Sequence, residues 1–234
     1  MKKVALIVFI AALLVGVVVS NVFSFGKTDY KFLNFSFNKW SGVKGSGNAA
    51  TEKRDVSGFT AVDVSGVFQV EIVAQKDFAV EVDADDNLLP LVRTEVRGGT
   101  LHISTEGRVS PKSPLRVRIS APDIDNIEAS GVSKVFLNGV KNSSLGIDSS
   151  GASKISVEGT TRTLTVDVSG ASNIDASNLT AENATIDASG ASTVTVNASN
   201  DVQANASGAS KIYYSGTPKN VSKKASGASK VQER

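Results

Sequence analysis

Beyond about residue 55, apolar positions along the chain fall two apart rather than three or four apart. Phe68, Val70 and Ile72 alternate with Gln69 and Glu71, and Phe78, Val80 and Val82 alternate with Ala79, Glu81 and Asp83. Leu101 and Ile103, then Leu115, Val117 and Ile119, continue the rhythm. A period of two puts every second side chain on one face, which predicts half-buried strands. Between them, Asn87 to Leu91 with Pro90 reads as an irregular crossing, Gly98-Gly99 as a turn and Gly107 to Pro114 as a loop. No stretch after residue 54 sustains a helical period, so the chain reads as nearly all β.

The alternation becomes a repeat in the C-terminal half. Six tetrapeptides, Ser130-Gly131-Val132-Ser133 and then Ser-Gly-Ala-Ser beginning at Ser150, Ser169, Ser189, Ser207 and Ser226, are spaced by 20, 19, 20, 18 and 19 residues. Aligned on the first serine, four columns are apolar. Leu145, Leu164, Ala184, Val202 and Val221 lie five places before it, and Ile127, Ile147, Val166, Ile186 and Ala204 lie three before. Val135, Ile155, Ile174, Val194, Ile212 and Val231 lie five after, and Leu137, Val157, Ala176, Val196 and Tyr214 seven after. A period near twenty with a fixed glycine describes stacked units that bury their apolar side only against neighbours. The predicted fold is all-β, a right-handed parallel β-helix over residues 125–234 with irregular first turns from Val56 onward. Gly131, Gly151, Gly170, Gly190, Gly208 and Gly227 are its structural corners, where a Cβ would strain the backbone. The two serine columns are expected to stack as hydroxyl ladders, each hydroxyl donating to the rung above or to a corner backbone group.

In-register strands about 4.8 Å apart stack like residues into files. Glu128, Asp148, Asp167, Asp187, Asn205 and Lys224 form one outward file. Asp148, Asp167 and Asp187 are the weak metal candidates, since clustered oxygens suit calcium. One file offers ligands from one side only, so no metal is expected. Paired carboxylates also suit glycoside hydrolysis, but a uniform, short-turned repeat offers no walled cleft, and no catalytic residue is assigned. A second file, Lys134, Lys154, Asn173, Thr193, Lys211 and Lys230, is basic at both ends. Beyond the corner it would sit near the acidic file and partly neutralise it. Lys134, Lys154, Lys211 and Lys230, with the outward Tyr213, are the ligand-face candidates. His102, the sole histidine, lies between Leu101 and Ile103 and reads as an outward strand residue.

Composition narrows the rest. A net charge of +2 with no basic stripe argues against nucleic acid as a partner, and the absence of cysteine removes disulfides and thiolate sites. No cofactor is implied. Met1-Lys2-Lys3 followed by Val4 to Val19 reads as a signal peptide or uncleaved signal anchor over residues 1–25, the one expected contact with a membrane. Residues 26–54, with Phe32, Phe35, Phe37 and Trp40, read as a flexible tether, leaving 55–234 as a single domain.

Gly58-Phe59, Val62-Asp63-Val64-Ser65-Gly66, Val70-Glu71-Ile72, Asp86-Asn87-Leu88-Leu89, Gly99-Thr100-Leu101-His102-Ile103 and the serine-glycine ladder together resemble the head GIN domain family of auto-transporter adhesins. The resemblance spans roughly residues 55–234. It implies a β-helical, extracytoplasmic bacterial protein and carries no catalytic residues. The expected function is non-enzymatic attachment at the cell surface or envelope, through repetitive polar faces, to glycans or envelope components. The alternatives are a polysaccharide lyase or glycosidase, or a structural envelope scaffold.

Overall fold

The computed structural model describes residues 42–234. The signal or anchor segment, and the tether residues with Phe32, Phe35, Phe37 and Trp40, lie outside the described residues. In chain order the strands are β1 (Val43–Lys44), β2 (Ala49–Arg54), β3 (Ala61–Gly66), β4 (Gln69–Ala74), β5 (Ala79–Asp85), β6 (Val92–Arg97), β7 (Thr100–Thr105), β8 (Val109–Ser110) and β9 (Arg116–Ala121). There follow β10 (Asn126–Gly131), β11 (Lys134–Gly151), β12 (Lys154–Gly170), β13 (Asn173–Ala188), β14 (Thr193–Ala206), β15 (Lys211–Gly216), β16 (Asn220–Ala225) and β17 (Lys230–Glu233). The crossing at Pro90 is a single 3-10 turn, Leu89–Leu91.

From β10 onward every pairing is parallel, as a β-helix requires. Ser130 pairs with Ser150 and Ser150 with Ser169; Gly131 pairs with Gly151 and Gly151 with Gly170. Ile155 pairs with Ile174, Ile174 with Val194 and Val194 with Ile212. The columns read from the sequence are therefore physical files. Before the last coil, where Val221 is exposed, all four apolar files face inward, and Ile127, Ile155, Leu164, Ile174, Val194 and Ile212 are fully buried. The stack also reaches further back than the six tetrapeptides. Strand β3 pairs with β10 so that Ser65 faces Ser130 and Gly66 faces Gly131, which makes Ser65-Gly66-Val67-Phe68 a seventh corner. The irregular first turns arise because β5 runs antiparallel to β2 and β9, and β6 antiparallel to β7.

The last coil closes the apolar interior with charge. Lys223, where earlier coils carry Ile, Val or Ala, sets its ammonium 4.5 Å from the ring centre of Tyr214. Its aliphatic stem and a cation–π contact cover the end of the core.

Of the two partners expected for the serine hydroxyls, the second serines take the corner backbone and not the hydroxyl of the next rung. A hydroxyl ladder needs O···O near 2.8 Å, whereas rungs lie about 4.8 Å apart. The second serine of each corner instead turns inward and bonds to main chain. Ser133 donates to Gly66 O at 3.1 Å and Ser172 to Gly151 O at 3.1 Å, while Ser210 donates to Ala188 O at 3.0 Å. The first serine points outward.

Order begins before residue 55, contrary to the expected extent of the tether. Strand β2 pairs antiparallel with β5 from Ala49↔Asp85 to Arg54↔Val80. It is an exposed edge strand of sequence AATEKR, so main-chain bonds rather than an apolar face fix it. The Asp85-Asp86-Asn87 run fastens the segment before it. Buried Asp85 accepts bonds from the amides of Gly47 (3.1 Å), Lys112 (2.8 Å) and Ser113 (3.3 Å) and from the Ser113 hydroxyl (2.9 Å). Asp86 takes the Ser46 hydroxyl, and Asn87 donates to Lys44 O at 2.8 Å. Burial alone would raise the pKa of Asp85, but the amide of Lys112, the hydroxyl and amide of Ser113 and the amide of Gly47 together hold it below the ordinary carboxylate value. A depressed carboxylate stabilises the fold above its unfolded pKa, near 3.9, and loses that contribution as pH falls through the lower folded value. Asp85→Ala is accordingly expected to raise amide hydrogen exchange at Gly47, Lys112 and Ser113 while leaving the amides of β12 and β13 protected. Wild-type protein should lose the same protection on acidification below about pH 4.

Candidate functional site

The outward face of the strands that precede each corner carries the acidic file and the first-serine file side by side. Glu128 pairs with Asp148, Asp148 with Asp167, Asp167 with Asp187, Asp187 with Asn205 and Asn205 with Lys224. The alternation of β-strands explains the placement, because residues two apart share a face. Between the two files Ser149, Val168, Ala188 and Ala206 turn their side chains into the core, so the floor of the groove is main chain. The groove is shallow and open to solvent, has a volume of about 790 Å³ and runs from Glu128 to Lys224. Its walls are the carboxylates of Asp148, Asp167 and Asp187 and the hydroxyls of Ser150, Ser169, Ser189, Ser207 and Ser226.

The acidic file extends beyond the repeats. Asp63 pairs with Glu128, and His102 with Asp63. His102 Nδ1 lies 2.9 Å from Asp63 Oδ2. His102 is an outward strand residue as expected, and it heads the file. Among the described residues no serine hydroxyl bonds to its other ring nitrogen, so the pair is not completed into a triad. At the other end Asn205 Nδ2 donates to Asp187 Oδ1 at 2.8 Å. In the middle, burial and then the neighbouring Asp167 raise the pKa of Asp148. Its stabilising contribution is thus present below the unfolded carboxylate pKa and is lost as pH rises through the folded one, the opposite sense to Asp85.

The three weak metal candidates stand one per rung in a single line. Among the described residues no group of three or more His, Asp or Glu is placed to hold a metal ion. A file supplies oxygens from one side, whereas calcium takes six to eight around it.

The basic file is equally real. Lys134 pairs with Lys154, Lys154 with Asn173, Thr193 with Lys211 and Lys211 with Lys230. All four lysines are exposed, and Tyr213 is half-buried on the next outward file, level with Thr195. It does not neutralise the acids as expected. Among the described residues no ion pair joins the two files, because a full corner separates them. The ion pairs cluster on the first turns instead, where Arg118 bonds Asp83 at 2.6 Å and Glu81 at 3.1 Å.

Reading the columns from the six tetrapeptides alone missed that Asp63 and His102 belong to the same file. A signal existed: Val62-Asp63-Val64-Ser65-Gly66 repeats Val166-Asp167-Val168-Ser169-Gly170 residue for residue. The strands β4 to β9, inserted after it, hide the period.

Comparison with known proteins agrees with this architecture. The sequence model of a family described as "Putative auto-transporter adhesin, head GIN domain" matches residues 58–218. A crystal structure of a putative adhesin from Bacteroides fragilis NCTC 9343 is 23% identical with a TM-score of 0.69, the match covering 82% of this chain and 100% of that one. Another, of a putative adhesin from Parabacteroides merdae ATCC 43184, is 19% identical with a TM-score of 0.50, covering 82% and 98%. At these identities the likeness is one of fold. No curated protein matches the chain.

Proposed function

The chain belongs to the head GIN domain family of auto-transporter adhesins, and from that premise we propose that it is an exported surface or cell-envelope protein that attaches non-enzymatically through its outward polar files. One observation carries the reading: the outward file from Glu128 through Asp148, Asp167 and Asp187 to Asn205 and Lys224 keeps register over β10 to β16 and, with the first serines, bounds one groove. Asp148, Asp167 and Asp187 offer the same weak contact on successive rungs, and contacts in one rigid array add without further loss of freedom, so a repetitive partner is held far more tightly than one rung could hold it. Regularity also speaks for attachment over catalysis. A glycosidase needs an acid and a base set apart from their neighbours, whereas Asp148 and Asp167 are members of an open, uniform run.

The exposed ligand-face candidates Lys134, Lys154, Lys211 and Lys230, with Tyr213 on the next file, would be a second contact surface beyond the corner. The groove is preferred because concavity brings two files to one ligand. Beads coated with the full chain should adhere to bacterial envelope preparations and to glycan-coated surfaces. Asp148→Lys with Asp167→Lys is expected to reduce adhesion about tenfold or more, a loss of about 1.4 kcal/mol. Lys154→Glu with Lys211→Glu should change it little. Beads that detach as readily as albumin-coated ones would remove the adhesive reading.

A further inference from the structure

Which partner suits the groove follows from what its surface refuses. Extended peptides commonly bind sheets by adding a strand, which needs unpaired amides and carbonyls at an edge. The groove lies on the face of β10 to β14, where those groups are already spent in parallel ladders. Apolar partners would have to strip water from the carboxylates and hydroxyls that line the groove. Polyanions, including nucleic acids and uronate polysaccharides, meet Glu128, Asp148, Asp167 and Asp187 in line and are repelled.

A chain of uncharged sugars meets none of these objections. Sugar hydroxyls donate to carboxylates in charge-assisted bonds, and two hydroxyls on adjacent carbons match the two oxygens of one carboxylate. The same sugars accept from Ser150, Ser169 and Ser207 across the groove. Because Ser149, Val168, Ala188 and Ala206 turn inward, no side chain stands between the two files and a flat ring can approach the main chain. The groove from Glu128 to Lys224 crosses five rung steps, roughly 24 Å, and so accommodates several sugar units end to end. We propose that this groove binds an extended, uncharged polysaccharide lying along the β-helix axis, with carboxylates accepting from its hydroxyls and the first-serine file donating to it. The assignment rests on the adhesive reading of the same groove and names its ligand class.

Full-length protein is titrated calorimetrically with cellohexaose, laminarihexaose, mannohexaose and xylohexaose, with hexagalacturonate as the polyanion and spermine as a bare polycation. At least one neutral hexasaccharide should bind with a Kd below about 1 mM, at least tenfold more tightly than its trisaccharide. Hexagalacturonate and spermine should bind at least tenfold more weakly. Asp148→Asn with Asp167→Asn, changes at solvent-facing positions, should weaken the neutral ligand about tenfold with no fall in melting temperature, and Ser169→Val should weaken it about threefold. Preferential binding of spermine or hexagalacturonate would overturn the assignment, as would neutral binding indifferent to all three substitutions. Coated beads that adhere through the groove while no neutral hexasaccharide binds would overturn the ligand class alone. Beads that fail to adhere at all would overturn the underlying function.

Discussion

Gly170→Ala is expected to destabilise the protein by roughly 2–6 kcal/mol, combining strained backbone with overpacking. Gly170 holds φ at +101°, a conformation that side chains with a Cβ rarely adopt, and a Cβ there would stand 2.5 Å from Gly151 O. That carbonyl has no freedom to retreat. It accepts the amide of Ala171 at 2.8 Å and the hydroxyl of Ser172 at 3.1 Å, so moving it breaks the corner it belongs to. Gly151 shows the spatial term without the conformational one. Its φ is ordinary, yet a Cβ would lie 2.3 Å from Gly131 O. A small domain has only about 5–15 kcal/mol to lose, so Gly170→Ala should shift the denaturant midpoint far down or abolish the folded state. Gly98→Ala is the control: φ is +57° with nothing within 4 Å of the added methyl, and the change should cost about 1 kcal/mol. Equal losses from the two would mean that the corners are not closely stacked.

Ser172→Ala should cost about 2–4 kcal/mol, because one hydroxyl satisfies three buried partners. Ser172 is 2% exposed. It accepts from the Ser149 hydroxyl at 2.9 Å and the Ser153 amide at 3.1 Å, and it donates to Gly151 O. Alanine fits the space and leaves these groups short of a partner in a dry interior. Ser169→Ala, at the other serine of the same corner, removes an exposed hydroxyl on the groove wall and should change stability by no more than about 0.5 kcal/mol. Urea titrations of the pair measure the difference directly. Similar values would show that the two serines have not divided into an inward and an outward role.

That division marks where sequence reading stops. Strand, corner and apolar columns were legible because stacking forces like residues to recur at like places, and Ile147, Val166 and Ile186 recur. The inward turn of one serine and the outward turn of the other were not, since both are small and polar and only geometry separates them. The third wall of each coil was also hidden. Asn142, Thr161, Ala181 and Ala198 occupy one file, but its chemistry changes at almost every rung. Coil-length variation is absorbed beside it, at register shifts between Leu137 and Val140, Ser156 and Glu158, and Ala176 and Thr180. Strand β2 escaped for the opposite reason, having no apolar face to announce it. In the candidate site, the acidic file was visible as a column, while its concavity, its freedom from the lysines and its continuation through Asp63 and His102 depended on three-dimensional packing.

The register of the groove file can be tested by chemistry, since the chain has no cysteine of its own. Asp167 and Asp187 face each other across β12 and β13, with Cα atoms about 4.8 Å apart, inside the range a disulfide spans. In full-length protein carrying Asp167→Cys and Asp187→Cys, mild oxidation should close an intramolecular disulfide and consume both thiols. The one-residue offset pair Asp167→Cys and Ala188→Cys, whose side chains point to opposite faces, should keep both free. Ready bridging of the offset pair with none in the aligned pair would contradict the stacked files on which the fold, the groove and the proposed function all depend.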